Sequence, residues 1–505
     1  MRNEIQTEFT AVFTYCGIGG GAEGFQDAIG EWGGAVGRFK VLYGIDNDPE
    51  ACQDFTNITG GAPALQLDFF TREQYIQFHG EAPPPGWREL TAADIYALSD
   101  GKTPDAKFSS SPCKGFSFLL SKENAARQKY QALNQLALRE LQLYLEAFED
   151  DPIPFMIMEN VPGIMSRGKS ILTEMKRLLQ NAGYALHEQI FDCGIVGGLG
   201  ETRRRYILVA RYIPKMSAEV YLPEPKKLRT IGDVIGALPM PNDPACGPLH
   251  QLPKLSLLNA SRLAQIEPGK DWRCLQDMDH TQLAITYTPR GAGAYGVQDW
   301  NKPGNTVIGN AKITGSNAAA AIADPRLKLG LKATKNNLYR VHSMNDTAPT
   351  ITGAAGPSNG ALCIADTRTL DYLSQFEGVY QIVKRSDELL PLLDKGDIPA
   401  FHKRGQYVVL TENGAWHRPV TTYEMAIIQG FKTHLPDGRP FQLAGTNSRA
   451  QRERIGNAVP PPSAKAWAEV ILIALMASSV GAWTMGITDV WVMPERAEEA
   501  MQLLH

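Results

Sequence analysis

The most informative segment of the chain is Phe9–Phe25, FTAVFTYCGIGGGAEGF. It begins with β-branched and aromatic residues, breaks at Gly17 and at three further glycines, and continues with helical spacing. This order predicts a strand, a glycine turn and a helix. Such a turn lets a ligand approach the backbone closely, and the helix N-terminus beyond it favours negative charge. Because a plain tight turn would use the same glycines, the interpretation depends on the segments that follow.

Strand-like and helical segments alternate through the first 211 residues. The further predicted strands are Lys40–Ile45, Ala64–Asp68, Lys107–Ser110, Pro154–Met158 and Arg203–Tyr212. Polar residues with possible functions end or follow four of these strands, namely Asp46, Asp68, the Cys113 loop and Glu159. In open α/β sheets the carboxyl ends of the strands line the ligand crevice. The sequence therefore predicts an α/β fold with a doubly wound, mostly parallel sheet.

Composition and charge narrow the class of protein. With 505 residues the chain can form two or three domains. Its net charge of −4 does not point to nucleic acid. The seven cysteines are scattered and include no Cys-x-x-Cys pair, which argues against a disulfide framework or a zinc site and favours a reducing cytoplasm. No apolar signal region opens the chain, and the apolar run Ala466–Trp483 contains Glu469, so a buried helix is predicted there and no membrane span.

The middle of the chain has a different character. From 212 to 417 prolines, glycines and asparagines become frequent, and residues 295–326 are similar to residues 339–368. We expect a second, β-rich domain with two related units. Helical spacing returns at 418, so residues 418–482 are predicted to complete the first domain, and residues 483–505 form a C-terminal extension without an assigned role.

The glycine turn and two acidic residues predict a nucleoside-containing cofactor. Asp46 is placed to accept hydrogen bonds from ribose hydroxyls, and Asp68 could accept one from an adenine amino group. The spacing from the turn to the acid is longer than in the dinucleotide fingerprint, and no Lys-Ser or Lys-Thr pair follows the glycines. Both points count against NAD and ATP.

Cys113 lies in a loop of small residues, SSSPCKGFS, which is unusual for a cysteine that only packs a core. Its reactive form would be the thiolate. No histidine lies nearby in sequence, so a Cys–His pair has no local support. Glu159 could act as an acid or only cap a helix. Arg203 and Arg205 would share one strand face and bind a phosphate or a carbonyl, or lie at a solvated edge.

These segments, in this order, resemble the DNA cytosine-5 methyltransferases. The first two S-adenosylmethionine motifs match YCGIGGGAEGF and IDNDP, and Asp68 falls at the third. The segments that match the later motifs are SPCKGFS, ENV, ETRRRYILV, RTIGDVIGALP, RPVTTYEMAIIQGF and RIGNAVPPP. The resemblance implies the class I S-adenosylmethionine-dependent methyltransferase fold, with a target recognition domain inserted at 212–417.

The resemblance also implies partners and residue roles. It implies S-adenosylmethionine as cofactor, double-stranded DNA as partner, and a monomeric cytoplasmic enzyme of a bacterium or phage, with or without a restriction system. The catalytic residues would be Cys113, Glu159, Arg203 and Arg205. The cofactor-binding residues would be Tyr15, Gly17, Gly19, Gly20, Asp46, Asn47, Asp68, Phe69, Pro112, Asn457 and Ala458. Lys114, Ser117 and Thr422 would contact DNA.

The implied reaction is methyl transfer to C5 of a flipped cytosine. Cys113 would attack C6, Glu159 would supply a proton at N3, and Arg205 with Arg203 would hold O2. The chain departs from the family pattern at Lys114 and Glu201, where Gln is usual, and at Tyr423, where Arg is usual.

Three alternatives stay open. The first is an RNA (tRNA) cytosine-5 methyltransferase, although the Cys-Phe-Thr signature of that branch does not occur in the sequence. The others are a catalytically silent binding protein and transfer of a non-methyl group from a modified cofactor.

Overall fold

The computed structural model describes residues 5–112, 116, 128–268, 297–298, 321–322, 341–351, 362–366, 378–382, 389–391, 399–400, 402–411, 414–484 and 491–492. Cys113, Lys114, Ser117 and most of the two similar segments lie outside these residues.

Strands and helices alternate along the first part of the described chain, and short strands dominate its middle. In chain order the strands are β1 Ile5–Thr14, β2 Gly30–Trp32, β3 Ala35–Asp46, β4 Ala64–Gln66, β5 Ala106–Ser109, β6 Phe155–Asn160, β7 Tyr184–Asp192, β8 Arg204–Tyr212, β9 Leu255–Ser256, β10 Val297–Gln298, β11 Ala321–Ile322, β12 Val341–Ser343, β13 Cys363–Asp366, β14 Gly378–Ile382, β15 Leu389–Pro391, β16 Arg404–Gly405, β17 Tyr407–Leu410, β18 Trp416–Pro419, β19 Trp483–Thr484 and β20 Trp491–Val492. The helices are α1 Gly20–Gln26, α2 Pro49–Ile58, α3 Arg72–His79, α4 Ala92–Leu98, α5 Gln128–Ala147, α6 Ile164–Arg167, α7 Lys169–Asn181, α8 Cys193–Gly197, α9 Ile231–Ile235, α10 Leu257–Ala264, α11 Thr422–Ile428, α12 Ser448–Asn457 and α13 Pro461–Ser479.

The largest sheet has eight strands in the order β2-β3-β1-β5-β6-β8-β7, and β4 also pairs with β3. β1, β3, β4, β5 and β6 run parallel, whereas β8 is antiparallel to β6 and β7 is antiparallel to β8. The chain fills one side of β1 first and the other side afterwards, so the strand order reverses beside β1. This arrangement confirms the predicted doubly wound, mostly parallel α/β sheet.

The strand register aligns the carboxyl ends of the central strands. Thr14 at the end of β1 pairs with Ile45 on one side and with Ser109 on the other. Ser109 pairs with Met158. Because β8 runs in the opposite direction, its first residues lie at this same edge, where Asn160 pairs with Tyr206. The edge therefore collects the ends of parallel strands and the start of an antiparallel one.

Two hydrophobic clusters cover the two faces of the large sheet. α13, which follows the chain's middle region, packs against α1 near the N-terminus. Gly24 permits this approach, because a Cβ there would lie 2.3 Å from the carbonyl oxygen of Pro461. Most of α13 is buried, as expected for the apolar run that begins at Ala466. Among the described helices none has the length and apolarity that crossing a membrane requires.

The chain divides into two compact units, and one boundary between them lies between Arg418 and Pro419. The first unit comprises Met1–Pro253, His342–Ala355 and Pro419–His505, and the second comprises Lys254–Val341 and Gly356–Arg418. In the second unit the strands β13-β18-β17-β14-β15 lie side by side in that order. A buried ion pair between Arg418 and Asp366, 2.9 Å long, joins β18 to β13.

Candidate active site

A cavity of about 630 Å³ opens at the carboxyl edge of the large sheet, within the first unit. This volume is typical of small-molecule sites. Its lining includes eleven predicted site residues, namely Tyr15, Gly17, Asp46, Asn47, Asp68, Phe69, Pro112, Glu159, Arg205, Asn457 and Ala458. The fold thus brings together residues that lie more than 400 positions apart in sequence.

The glycine turn and Asp46 form one wall of the cavity. The Gly17 N–H donates to one Asp46 carboxylate oxygen at 2.9 Å, and the Asp48 N–H donates to the other at 3.0 Å. Gly17 has φ +51°, and a Cβ at this position would meet nothing within 4 Å, so a ligand can reach the backbone. Burial raises the pKa of Asp46. Each oxygen keeps a lone pair that can accept a hydrogen bond from a ligand hydroxyl.

Gly19 and Gly20 do not line this cavity. A Cβ at Gly19 would lie 3.2 Å from Phe55, and one at Gly20 would lie 2.1 Å from the carbonyl oxygen of Val459. Both glycines therefore allow α1 to pack closely against its neighbours. The predicted reason for a glycine at these positions was contact with a cofactor.

Asp68, Phe69 and Tyr15 form the adjoining wall. The Asp68 carboxylate accepts hydrogen bonds from the Phe70 N–H at 3.0 Å and from Nε1–H of Trp87 at 2.9 Å. The Phe69 and Tyr15 rings are 5.2 Å apart. The Tyr15 hydroxyl donates to a backbone carbonyl of α5 at 3.0 Å. This wall combines apolar rings with a carboxylate of fixed orientation.

Glu159 is the central polar residue of the opposite wall. It is 6% exposed. Its Oε1 lies 2.9 Å from Nε of Arg205, and its Oε2 accepts a hydrogen bond from the Ser110 hydroxyl at 2.7 Å. Asn160 donates to the Ser111 hydroxyl oxygen at 3.1 Å. These contacts hold the segment that leads to Pro112, and Cys113 is the next residue in the sequence.

The family comparison agrees with this arrangement. A family model for C-5 cytosine-specific DNA methylases matches residues 9–243 and 328–472. The chain belongs to the C-5 cytosine-specific DNA methylase family. Members of this family take the transferred methyl group from S-adenosylmethionine. The resemblance predicted from the motif order is thereby confirmed.

Several solved structures are similar to this methylase chain. One is the Entamoeba histolytica methyltransferase EhMeth, at 14% identity, 94% coverage of this chain, 98% of that chain and a TM-score of 0.48. A second is a candidate DNA modification methyltransferase encoded within an E. coli prophage. It has 15% identity, 93% coverage of this chain, 98% coverage of that chain and a TM-score of 0.48. A third is the S. pombe Dnmt2 methyltransferase. It has 15% identity, 94% coverage of this chain, 100% coverage of that chain and a TM-score of 0.43. None of the curated proteins matches the chain.

Arg203 differs from its predicted place beside the base. It is 1% exposed and does not line the cavity. Its Nη2 donates to the carbonyl oxygens of Gly456 and Ala458, both at 2.9 Å. Those two residues flank Asn457 at the cavity rim. In this methylase Arg205 faces the cavity, and Arg203 positions the turn after α12. The predicted shared face does not bring both guanidinium groups to one ligand.

Arg454 lines the cavity and was not expected from the motifs. It forms an ion pair with Glu50, its Nε lies 3.2 Å from a carboxylate oxygen of Asp54, and its Nη2 donates to the Ala444 carbonyl at 2.6 Å. It thus joins α12 to α2, the helix that follows Asp46. The sequence did not predict that Arg454 joins these two helices, because its acidic partners Glu50 and Asp54 are about 400 positions away.

Two departures from the methylase pattern have internal partners. Glu201 is fully buried and accepts a hydrogen bond from the Ile351 N–H at 2.8 Å. Burial raises its pKa. Tyr423 is 2% exposed and donates to the Thr433 carbonyl at 3.1 Å. Thr422, predicted to contact DNA, is 6% exposed and therefore offers little surface to a partner.

The residues present fit S-adenosylmethionine. Asp46 offers acceptors for ribose hydroxyls, the open side of Gly17 admits a ligand to the backbone, and Phe69 supplies an apolar surface. A sulfonium cofactor also suits a cavity that carries carboxylates and where Arg454 and Arg205 are already paired with acids.

Proposed function

We propose that the chain methylates C5 of cytosine in duplex DNA, with S-adenosylmethionine as donor and through a covalent adduct with Cys113. The observation that carries the proposal is the position of Glu159. Its carboxylate is held between Arg205 and Ser110 on the wall of the cavity, and Ser110 precedes Cys113 by three residues in the sequence. A buried acid paired in this way is suited to a ring nitrogen and its neighbouring amino group.

The reaction begins with the Cys113 sulfur. The thiolate adds to C6 of the cytosine, and the electron pair of the C5–C6 double bond moves toward N3, where Glu159 delivers a proton. Arg205 stabilises the charge that develops on O2. C5 is then the nucleophile that takes the methyl group, which the bound cofactor supplies. Loss of the C5 proton to water and departure of the sulfur as thiolate restore the C5–C6 double bond, and the N3 proton returns to Glu159, which leaves neutral 5-methylcytosine.

The proposed substrate is duplex DNA, with the target base flipped out of the helix. A base inside a duplex cannot reach a thiol and a carboxylate in a cavity, and flipping costs a few kcal/mol. The family description supports DNA. The middle region, of which the second unit holds 254–341 and 356–418, is the proposed target recognition domain.

Labelled S-adenosylmethionine tests the proposal. Wild type and Cys113→Ala are incubated with a long duplex of many sequence contexts, with single-stranded DNA and with tRNA, and in parallel with the duplex carrying 5-fluorocytosine. Cys246→Ala is the matched control, because Cys246 is buried and does not line the cavity.

We expect label in duplex DNA, and covalent trapping on the fluorinated duplex by wild type and Cys246→Ala only. Label in tRNA alone would replace the DNA proposal with the RNA alternative. Trapping by Cys113→Ala would exclude Cys113 as the nucleophile. If the cofactor binds but no substrate is labelled, the proposed methyl transfer is wrong.

A further inference from the structure

A buried ion pair lies behind the active-site wall. Lys107 on β5 and Glu140 on α5 are 2.5 Å apart, and their side chains are only 3% and 1% exposed. Lysine and glutamate are almost never buried to this degree unless they are paired. The Lys107 ammonium also lies over the Tyr144 ring, 4.8 Å from its centre.

Glu140 contacts the ends of both central strands. One carboxylate oxygen accepts a hydrogen bond from the Thr14 hydroxyl at 2.7 Å, and the other accepts one from the Ser109 hydroxyl at 3.4 Å. Thr14 is the last residue of β1, and Ser109 is the last residue of β5. The residues that follow them, Tyr15 and Ser110, both line the cavity.

α5 contributes its own residues to the cavity. Leu133 and Leu136 line it, and the Leu136 carbonyl, one turn before Glu140, accepts the hydrogen bond of Tyr15 at 3.0 Å. In sequence α5 is the next described helix after Cys113. Glu140 therefore links the element after this segment to the strand that precedes it.

Stability alone does not account for a charged pair at this place. Removing two charges from water is costly, and a buried pair can often be replaced by apolar side chains of similar volume without loss of stability. What the pair adds is a fixed position for the strand ends, since each carboxylate oxygen of Glu140 accepts a hydrogen bond from a different strand. A shift of about 1 Å in a reacting group can cost a hundredfold in rate.

We propose that Lys107 and Glu140 are positioning residues for the methyl transfer. They hold α5 against the ends of β1 and β5, so that Ser110 stays within hydrogen-bond distance of Glu159 at the cavity wall. This inference rests on the proposed function. It assigns no contact with substrate or cofactor to either residue.

The test replaces both charges at once, with Lys107→Met/Glu140→Leu. The control is Lys176→Met/Glu188→Leu, because this Lys–Glu pair is 2.7 Å long, half-buried and away from the cavity lining. We expect both proteins to retain cofactor affinity and the KM for DNA. Covalent trapping on 5-fluorocytosine duplex should slow between about tenfold and a hundredfold in the first protein and remain unchanged in the second.

A second variant covers the case in which the double replacement fails to fold. Thr14→Val/Ser109→Ala leaves the ion pair intact and removes the two hydroxyls that connect Glu140 to the strand ends. It should slow trapping in the same direction. Wild-type trapping by this variant, or by a folded Lys107→Met/Glu140→Leu protein, would overturn the inference.

Amide hydrogen exchange separates this inference from the proposed function. With the charges replaced, exchange at Ser109, Ser110 and Ser111 should become faster, and in the Lys176/Glu188 control it should not. If wild type does not trap DNA, the proposed function fails, while exchange still tests the positioning. Unchanged exchange at these residues would contradict the inference in either case.

Discussion

Arg203 and Arg205 are two residues apart and serve different ends of the cavity. Arg205 pairs with Glu159 on the cavity wall, whereas Arg203 is buried and donates to the backbone on both sides of Asn457. A guanidinium that donates to two carbonyls fixes a turn more firmly than it could bind a mobile ligand. In the proposed function the same side-chain chemistry serves the reaction at Arg205 and the shape of the cavity rim at Arg203.

This division predicts that substitutions at the two arginines affect different properties, namely cofactor affinity at Arg203 and covalent trapping at Arg205. Arg203→Met should weaken cofactor affinity about tenfold to a hundredfold, because hydrogen bonds from a charged group contribute about 1.5–3 kcal/mol. Arg205→Met should leave that affinity nearly unchanged and abolish trapping on 5-fluorocytosine duplex. Calorimetric titration with S-adenosylhomocysteine measures the first effect. Equal affinity losses in the two variants would contradict the division of roles.

Asp54 makes stability depend on pH. It is fully buried, it accepts the Ala444 N–H at 2.6 Å, and burial raises its pKa to about 7. The unfolded chain releases this proton near pH 4. Between pH 4 and 7 the folded state therefore binds more protons, and its stability falls as pH rises.

Asp54→Asn should remove part of this pH dependence. The slope of the free energy of unfolding between pH 5 and 7 should become shallower by at most about 1.4 kcal/mol per pH unit. Urea unfolding at pH 5, 6 and 7 measures it. Glu23, whose pKa burial also raises to about 7, keeps a residual slope in the variant. Asp437→Asn is the control, since Arg439 lowers the pKa of Asp437 and it titrates below this window. Identical slopes for wild type and Asp54→Asn would refute the assignment.

At the scale of elements, α1 is shaped by its contact with α13. A Cβ at Gly24 would lie 2.3 Å from a carbonyl oxygen of α13 and 2.7 Å from the Cβ of Ala464. Gly21 lies in the same helix, and a Cβ there would be 3.6 Å from its nearest neighbour, Phe108. The two glycines therefore differ in how much space they leave for a side chain, although they lie only three positions apart in the sequence.

Gly24→Ala should destabilise the protein by about 1–3 kcal/mol, because a backbone carbonyl cannot move aside cheaply. Gly21→Ala should be neutral or slightly stabilising, since alanine favours a helix by up to about 1 kcal/mol over glycine. Thermal unfolding of the two variants provides the comparison. A Gly24→Ala protein as stable as wild type would show that α13 does not pack as described.

For the whole molecule, the first unit is assembled from three separate parts of the chain. Residues after 419 provide α12 and α13, and these complete both the cofactor cavity and one hydrophobic cluster. The unit also includes residues 342–355, which lie in the middle of the predicted recognition domain. There the Ile231 N–H donates to the Asp346 carbonyl at 2.7 Å. Composition could not show such a return of the chain.

Truncation tests this assembly. A chain that ends at Gly445 lacks α12 and α13. It should neither unfold cooperatively nor bind the cofactor, because the hydrophobic cluster is exposed to water when Trp467 and its neighbours are missing. A chain that ends at Ala482 keeps both helices and should retain binding. Circular dichroism and calorimetry compare the two. Cofactor binding by the shorter chain would mean that the C-terminal part is dispensable.

Much of the fold was accessible from the sequence. Phe9–Phe25, the acids after the next two strands and the order of later motifs predicted the sheet and placed Asp46 and Glu159 at one edge. These signals are local, because a strand, a glycine turn and a helix each depend on neighbours within a few residues. The predicted covalent role of Cys113 stays a prediction, since this residue lies outside the described part of the chain.

Only the tertiary structure decided which side chains share a surface. Arg203 and Arg205 look alike in the sequence, but Arg203 precedes β8 and donates to the turn at Gly456–Ala458, whereas Arg205 lies on β8 and pairs with Glu159. Arg454 lines the cavity and Lys107 pairs with Glu140 because the fold brings separate elements of the chain into contact. The sequence by itself predicted six of the eight strands of the large sheet, the glycine turn and the family, but not β2 or β7. Packing determined the partners of the buried charges. A charge that is removed from water needs a partner, and which residue lies close enough depends on the tertiary structure.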